Sequence, residues 1–276
     1  MLFRSMEEGD PGESEDKAEA AEEKLREAER ELAEKRNRYL NLRQEELLFR
    51  ITEELTDLLT RHKAVQQETL ALDEQVRRGG GRLTRFLRGR IEAQGHAERD
   101  LAGKCRFLRE NVEAEESLVF SAALRGIEAD LEAIARLLTG REPDPGSRVQ
   151  GLQEDVTRAA ERLLQATRQE LRRKKEDQGR QRQPQETNQA PPKPKLVPDL
   201  AELKLLKAMQ EDLLARTRSL VQETAIPGAE TLFRAVLERH AHQQAELKDL
   251  FERFTARLRP PAEQGPAKES GKEDGR

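Results

Sequence analysis

The sequence predicts an all-α protein, built as elongated coiled-coil hairpins or a helical bundle with disordered termini and a Pro-rich linker. Three observations carry this expectation. Apolar residues recur at steps of three and four almost everywhere and hardly ever at two, so no β-strand candidate survives. Of 276 residues, 38% are charged and 35% hydrophobic, which is too little apolar material for a thick core but enough for helices packed along narrow seams. Aromatics make up 3%, with no Trp and one Tyr, Tyr39, whereas compact enzymes use aromatic bulk to fill layers and line pockets.

Residues 1–16 mix Gly, Pro, Ser and acids and read as disordered. From Lys17 to Arg78 there is no Pro or Gly, and the composition predicts one helix of roughly 60 residues, about 90 Å long. Its second half carries a heptad seam: Ile51, Leu55, Leu58, His62, Val65, Thr69, Leu72 and Val76 alternate spacings of four and three. In the first half Leu25, Leu32 and Tyr39 keep a seven-residue step in a different phase, so the seam there either changes partner or frays. Beyond Gly79–Gly81 a second helix is expected over about 83–112, less regular and interrupted by Gly95 and Gly103. A third, over 116–139, is cleaner: Phe120, Leu124, Ile127, Leu131, Ile134 and Leu138 form its seam, and Gly140, Pro143 and Pro145 end it. A fourth, over 148–175, starts at a Ser147/Gln150 capping box and has Val149, Leu152, Val156, Ala159, Leu163 and Ala166 on its apolar face.

These four helices form one long helical unit over 17–175, followed by a polar, Pro-rich linker over 176–197. A second helical hairpin is expected over 198–259. Asp199 and Glu202 cap its first helix, which buries Leu206, Met209, Leu213 and Leu220; Pro227 and Gly228 make the turn. Phe233, Leu237, His240, Gln244, Leu247, Phe251, Phe254 and Leu258 are the seam of its second helix, and a disordered tail fills 260–276.

The stretch "QVRRGGGRLTRFLRGR" holds Arg77, Arg78, Arg82, Arg85, Arg88 and Arg90 with no acidic residue. It lacks the spacing and the strand of a phosphate-binding loop. Two readings stand. The arginines form an anion-binding patch for nucleic acid or an anionic surface, releasing counterions from phosphates. Otherwise the glycines turn the chain between antiparallel helices, with Arg77 and Arg78 stabilised by the negative end of the first helix.

No catalytic, metal or cofactor constellation emerges. Cys105 is the single cysteine, which excludes an internal disulfide and any multi-cysteine cage and predicts a packed thiol. Glu92 and His96 lie four apart and nothing matches them elsewhere, while His240 and His242 sit about 200° apart around a helix. His62 and His240 fall on seam positions, where a polar residue sets register. Net charge is −4, so the chain as a whole is no polycation, and no stretch approaches the ~20 apolar residues of a membrane span. No secretory leader is present as written, which predicts a cytoplasmic protein; a start further upstream would reopen an envelope or periplasmic location.

The blocks "SLVFSAALRGIEADLEAIARLL", "VQGLQEDVTRAAERLLQA" and "PDLAELKLLKAMQEDLLARTRSL" resemble, in that order, large helical coiled-coil proteins of planctomycete-type bacteria, over about Leu55 to Leu220. The resemblance implies a cell-envelope setting. It supplies no activity and no functional residues. The expected function is non-enzymatic scaffolding through coiled-coil contact with a protein partner or a second copy, with no cofactor and no small-molecule substrate; the alternative is nucleic-acid or anionic-surface binding through residues 77–90.

Overall fold

The computed structural model describes residues 11–180, 195–223 and 230–258, and the expectations for 1–10, 181–194, the Pro227/Gly228 turn and 260–276 lie outside them. Of the stretch expected to be disordered, 11–16 are the first turns of a helix, and of the expected linker, 176–180 continue a helix, because the Ala, Glu, Lys and Arg helices on either side propagate into them. The described residues form six helices and no strand: α1 (Pro11–Arg78), α2 (Arg85–Ala114), α3 (Leu118–Leu138), α4 (Ser147–Arg180), α5 (Asp199–Glu223) and α6 (Glu230–Leu258). The all-α class follows from the three-four periodicity.

Helix α1 has 68 residues and is therefore about 100 Å long. Its end is set by the three glycines. The Gly81 amide donates to the Val76 carbonyl at 2.9 Å and the Gly80 amide to Arg77 at 3.0 Å, and Gly80 and Gly81 take φ of 70° and 79°. This is a Schellman stop, and its left-handed residues strain any side chain larger than hydrogen. Thr84 then starts α2, its hydroxyl accepting the Leu87 amide at 3.2 Å.

The C-terminal half of α1 with α2, α3 and α4 makes an up-down-up-down four-helix bundle. Among the described residues α1 packs on α2 and α4, and α3 packs on the same two, so the like-directed helices stay on the diagonals. Gly95 does not interrupt α2, contrary to the sequence expectation. A Cβ there would sit 2.6 Å from Thr139 Cγ2 and 2.9 Å from Leu138 Cβ, so the glycine lets the end of α3 approach closely. Gly103 also lies within the continuous helix.

Helices α5 and α6 form an antiparallel hairpin lying on α3 and α4. Leu196 and Val197, expected at the end of the linker, are buried in the same core as α1–α4, together with Leu205, Leu206, Leu213, Leu247, Leu250 and Phe254. The two helical units read from the sequence thus share one apolar core. Three local expectations are corrected. On α6 the buried face runs His240, Leu247, Leu250 and Phe254, while Leu237, Phe251 and Leu258 are exposed, because the docked surface lies one residue round from the heptad stripe. Gln150 makes no capping box with Ser147; its Nε2 donates to Asp73 Oδ2 at 2.8 Å and to the Pro145 carbonyl at 2.9 Å. Glu202 does not cap α5; it is wholly buried and serves another helix, as described below.

Candidate functional site

The seam residues divide the molecule into a packed part and a bare part. Ile51, Leu55, Leu58, Val65 and Leu72 of α1 and Phe120, Leu124, Ile127, Leu131 and Ile134 of α3 are all buried inside the bundle. They hold the fold together and are not free to dock anything else. Nearer its N-terminus α1 leaves the bundle. From Asp16 to Leu42 no described side chain is buried, and the first bonds from α1 to its bundle neighbours among the described residues are from Arg43 to Glu115, the residue that ends α2, 3.4 Å, and from Lys174 to Gln44, 2.6 Å. About 40 Å of helix therefore has no buried side chain and no bond to another helix among the described residues. On this arm Leu25, Leu32, Tyr39 and Leu42 are 60–67% exposed and Phe49, on the same stripe, 48%. Ion pairs Glu22–Arg26, Glu31–Lys35 and Glu34–Arg38, each four residues apart, support the lone helix locally.

The arginine-rich turn is largely engaged in the protein's own ion pairs. Arg77 meets Asp73 at 3.1 Å and Glu74 at 3.4 Å, and Arg78 meets Glu74 at 2.8 Å. Arg88 donates to the Arg141 carbonyl at 3.0 Å. Arg90 pairs with Glu68 and lies 5.7 Å over the Phe86 ring. Arg82 and Arg85 are exposed and make no ion pair among the described residues. Sequence spacing brings six arginines together; among the described residues Arg82, Arg85 and Arg88 make no ion pair.

Three polar networks, the first fully buried and the other two partly, were not legible as sites in the sequence. In the first, His62 Nε2 lies 2.9 Å from the Gln153 carbonyl oxygen, which only accepts, so Nε2 carries a hydrogen. Nδ1 lies 2.9 Å from Glu98 Oε2. Gln153 Nε2 donates to Glu98 Oε1 at 2.9 Å and to Thr69 Oγ1 at 3.2 Å, closing the network across α1, α2 and α4. A His–Glu contact resembles a general base and its orienting carboxylate, but the side chains of both residues have no exposed surface. The network ties three helices together inside the bundle.

The second network pins the hairpin. Glu202 Oε1 accepts from Ser117 Oγ at 2.7 Å and from the Val119 amide at 3.1 Å, so a carboxylate from α5 caps the N-terminus of α3. Its other oxygen pairs with Arg257 of α6, which also donates to Asp199 Oδ1 and to the carbonyl of Glu116, both at 2.9 Å. Glu116 has φ 60°, a left-handed conformation that costs a non-glycine residue about 1 kcal/mol and is held here by that contact.

The third joins α3 to α6. Arg239 bridges Asp130 at 2.8 Å and Asp155 at 2.9 Å; Arg216 bridges Asp155 at 3.2 Å and Asp212 at 2.8 Å; Arg162 meets Asp212 at 2.8 Å. Burial pushes the Asp130 carboxyl up to about 6, with Asp155 adding to the rise and Arg239 opposing it. The His240 imidazole beside this cluster is held below its ordinary range by burial and by Arg216. Because the Thr217 hydroxyl already donates to the Leu213 carbonyl, it accepts from His240 Nδ1 at 3.2 Å. Sequence position showed His62 and His240 on seams; only the cross-helix geometry identifies their partners.

Cys105 is buried, its thiol donating to the Leu124 carbonyl at 3.3 Å, and burial pushes it up to about 12, which leaves no nucleophilic thiolate at neutral pH. Among the described residues no group of three His, Cys, Asp or Glu side chains is arranged to hold a metal ion, and no helix is long and apolar enough to cross a membrane. No family model, no curated protein and no solved structure matches the chain.

Proposed function

We propose that the protein is a non-catalytic scaffold: a helical bundle that holds out a long arm whose apolar stripe pairs with another polypeptide as a coiled coil. The projecting half of α1 carries this reading. Four large apolar residues at 60–67% exposure on one stripe are more than a lone solvated helix needs. The inaccessible histidine–carboxylate pair and the packed thiol support a role without chemistry. The resemblance to planctomycete-type coiled-coil proteins would set such a spacer at the cell envelope.

Lysine-reactive crosslinking in the native cells tests the scaffold reading. Lys24 and Lys35 are exposed on the arm, and we expect both to link to another polypeptide or a second copy. Such links disappear in a Leu25→Asp/Leu32→Asp variant that keeps the bundle. Links confined to the chain itself would overturn the proposal. A second reading, binding of nucleic acid or an anionic surface through residues 77–90, is favoured only by Arg82 and Arg85, and duplex DNA titrated at two salt concentrations separates it from the first.

A further inference from the structure

We infer that the occupant of the arm's stripe is a second copy of the same arm, running antiparallel, with Leu25 of one copy against Leu42 of the other. This rests on the scaffold reading and names its partner, orientation and register.

The stripe recurs at the alternating four-three steps of a coiled-coil seam: Leu25, Ala28, Leu32, Lys35, Tyr39 and Leu42. Leu42 and Ile51 are nine residues, or two and a half turns, apart, so the stripe lies on the opposite side of α1 from the face buried in the bundle. A partner helix can therefore run past Gln44 and Leu48 and reach the exposed Phe49 without meeting α2 or α4.

In the antiparallel register each large residue meets a small or aliphatic one. Leu25 faces Leu42, Ala28 faces Tyr39, Leu32 faces Lys35, Ala21 faces Glu46 and Ala18 faces Phe49, each pair occurring twice about the two-fold axis. A Lys35 stem covers Leu32 while its ammonium reaches the rim.

The flanking charges select this register. Residues on either side of an antiparallel seam face their own kind across the pair. On one side Glu22 then faces Arg43 and Glu29 faces Arg36; on the other Lys24 faces Glu45 and Glu31 faces Arg38. With the two-fold, every flanking pair is of opposite sign. Sliding one copy by a heptad in one direction sets Arg36 against Arg36 and Arg38 against Arg38; in the other direction Glu29 meets Glu29 and Glu31 meets Glu31. A parallel, in-register pair sets Arg38 against Arg43 and puts Lys35 against Lys35 in the seam. The like-charge contacts of these three alternatives are each destabilising, so the sequence favours one arrangement and penalises its neighbours. The pairs these residues make in the single chain, Glu22–Arg26, Glu31–Lys35, Glu34–Arg38 and Arg43–Glu115, have arginine and lysine side chains more than 60% exposed, are weak and exchange readily for contacts across the pair.

The test uses the full chain. Glu22, Glu29, Arg36 and Arg43 are all exposed, and of them only Arg43 meets the bundle, at its 3.4 Å pair with Glu115, so their reversal leaves the apolar core intact. Wild type is expected to sediment as a dimer. A Glu22→Arg/Glu29→Arg chain alone and an Arg36→Glu/Arg43→Glu chain alone each lose self-association by on the order of a hundredfold, and mixing them restores it. In addition, Leu25→Cys and Leu42→Cys chains form a disulfide-linked pair when mixed and none when oxidised separately, Cys105 being buried. Crosslinking of either cysteine variant with itself, or a dimer indifferent to the charge reversals, would overturn the antiparallel register. A wild-type monomer up to about 100 μM would overturn self-pairing. In that case, continued crosslinking of Lys24 and Lys35 to a different polypeptide in cells leaves the scaffold reading standing, and its absence removes both.

Discussion

The two halves of α1 are made of the same residue types and continue one another without a break, yet one is a wall of the core and the other has no buried side chain among the described residues. In residues 44–78 large apolar side chains recur at alternating steps of four and three, and Leu48, Ile51, Leu55, Leu58 and Leu72 are buried. In residues 16–42 a large apolar residue comes mostly once per heptad, with alanine or lysine between, and on the other side of the helix. Helix formation does not distinguish them. The packed half provides the nucleus, and each further residue adds one hydrogen bond with Ala, Glu, Leu, Lys and Arg of good propensity, so the helix extends beyond its support. Burial distinguishes them, and burial depends on the density and phase of the stripe.

The largest expected effect breaks this contrast at its centre. Leu58→Asp or Leu124→Asp places an unpaired carboxylate in the core and abolishes cooperative melting in calorimetry, while Leu32→Asp leaves the melting of the bundle unchanged. Normal melting of the two core variants would remove the assignment of these positions to the core. Next, Glu98→Ala leaves His62 and Gln153 without their shared partner and costs about 3 to 5 kcal/mol by denaturant titration; His62→Leu combined with Glu98→Leu recovers much of that loss. Glu202→Ala removes the α3 cap and the partner of Arg257, at about 2 to 3 kcal/mol, and hydrogen exchange should rise in α5 and α6 before it rises in α1 and α2.

A smaller effect depends on pH. Asp130 carries a folded value of about 6 against an ordinary 3.8, so between those values the folded protein binds the proton more than the unfolded chain does. Its contribution to stability is therefore greatest below about pH 4, falls as pH rises through the window, and is a constant penalty above it. Asp130→Asn should remove about 2 kcal/mol of that slope, seen as the difference between wild-type and variant stability measured from pH 4 to pH 7. The smallest effect is at the turn. Arg82→Gln with Arg85→Gln should leave melting unchanged, and the three arginines without an ion pair allow a log-log salt dependence of duplex binding no steeper than about −2.7; a steeper slope, lost in the variant, would promote the arginine patch to a site.

The long first helix, its glycine stop and the α3 seam were legible because each depends on neighbours within one or two turns: the absence of breakers over 17–78, the positive φ that Gly80 and Gly81 supply, and the unbroken steps from Phe120 to Leu138. Gly95 misled, since a glycine that breaks a helix and one that admits a neighbour look alike until the neighbour is placed. Glu202 misled for a related reason. An acid in the first turn of α5 suits its own helix dipole, but burial drew it toward the free amide of Val119 on α3. Of the candidate arginines, the sequence showed the cluster but not the acids that neutralise it: Asp73 and Glu74 lie just upstream, while Glu68 reaches Arg90 only once α1 and α2 are antiparallel.

By itself the sequence determined that the chain is helical, where most helices stop, and which stripe of each is apolar, because propensity, capping and periodicity act through contacts a few residues apart. It also determined the order of charges beside the arm's stripe, on which the proposed pairing depends. Only the tertiary structure decided that α5 and α6 join the same core, that His62 meets Glu98 and Gln153, and that α1 outruns its neighbours and leaves its first half bare. These outcomes depend on the relative lengths and offsets of helices far apart in the chain, and no local pattern encodes an offset that arises only when several helices bury their stripes together.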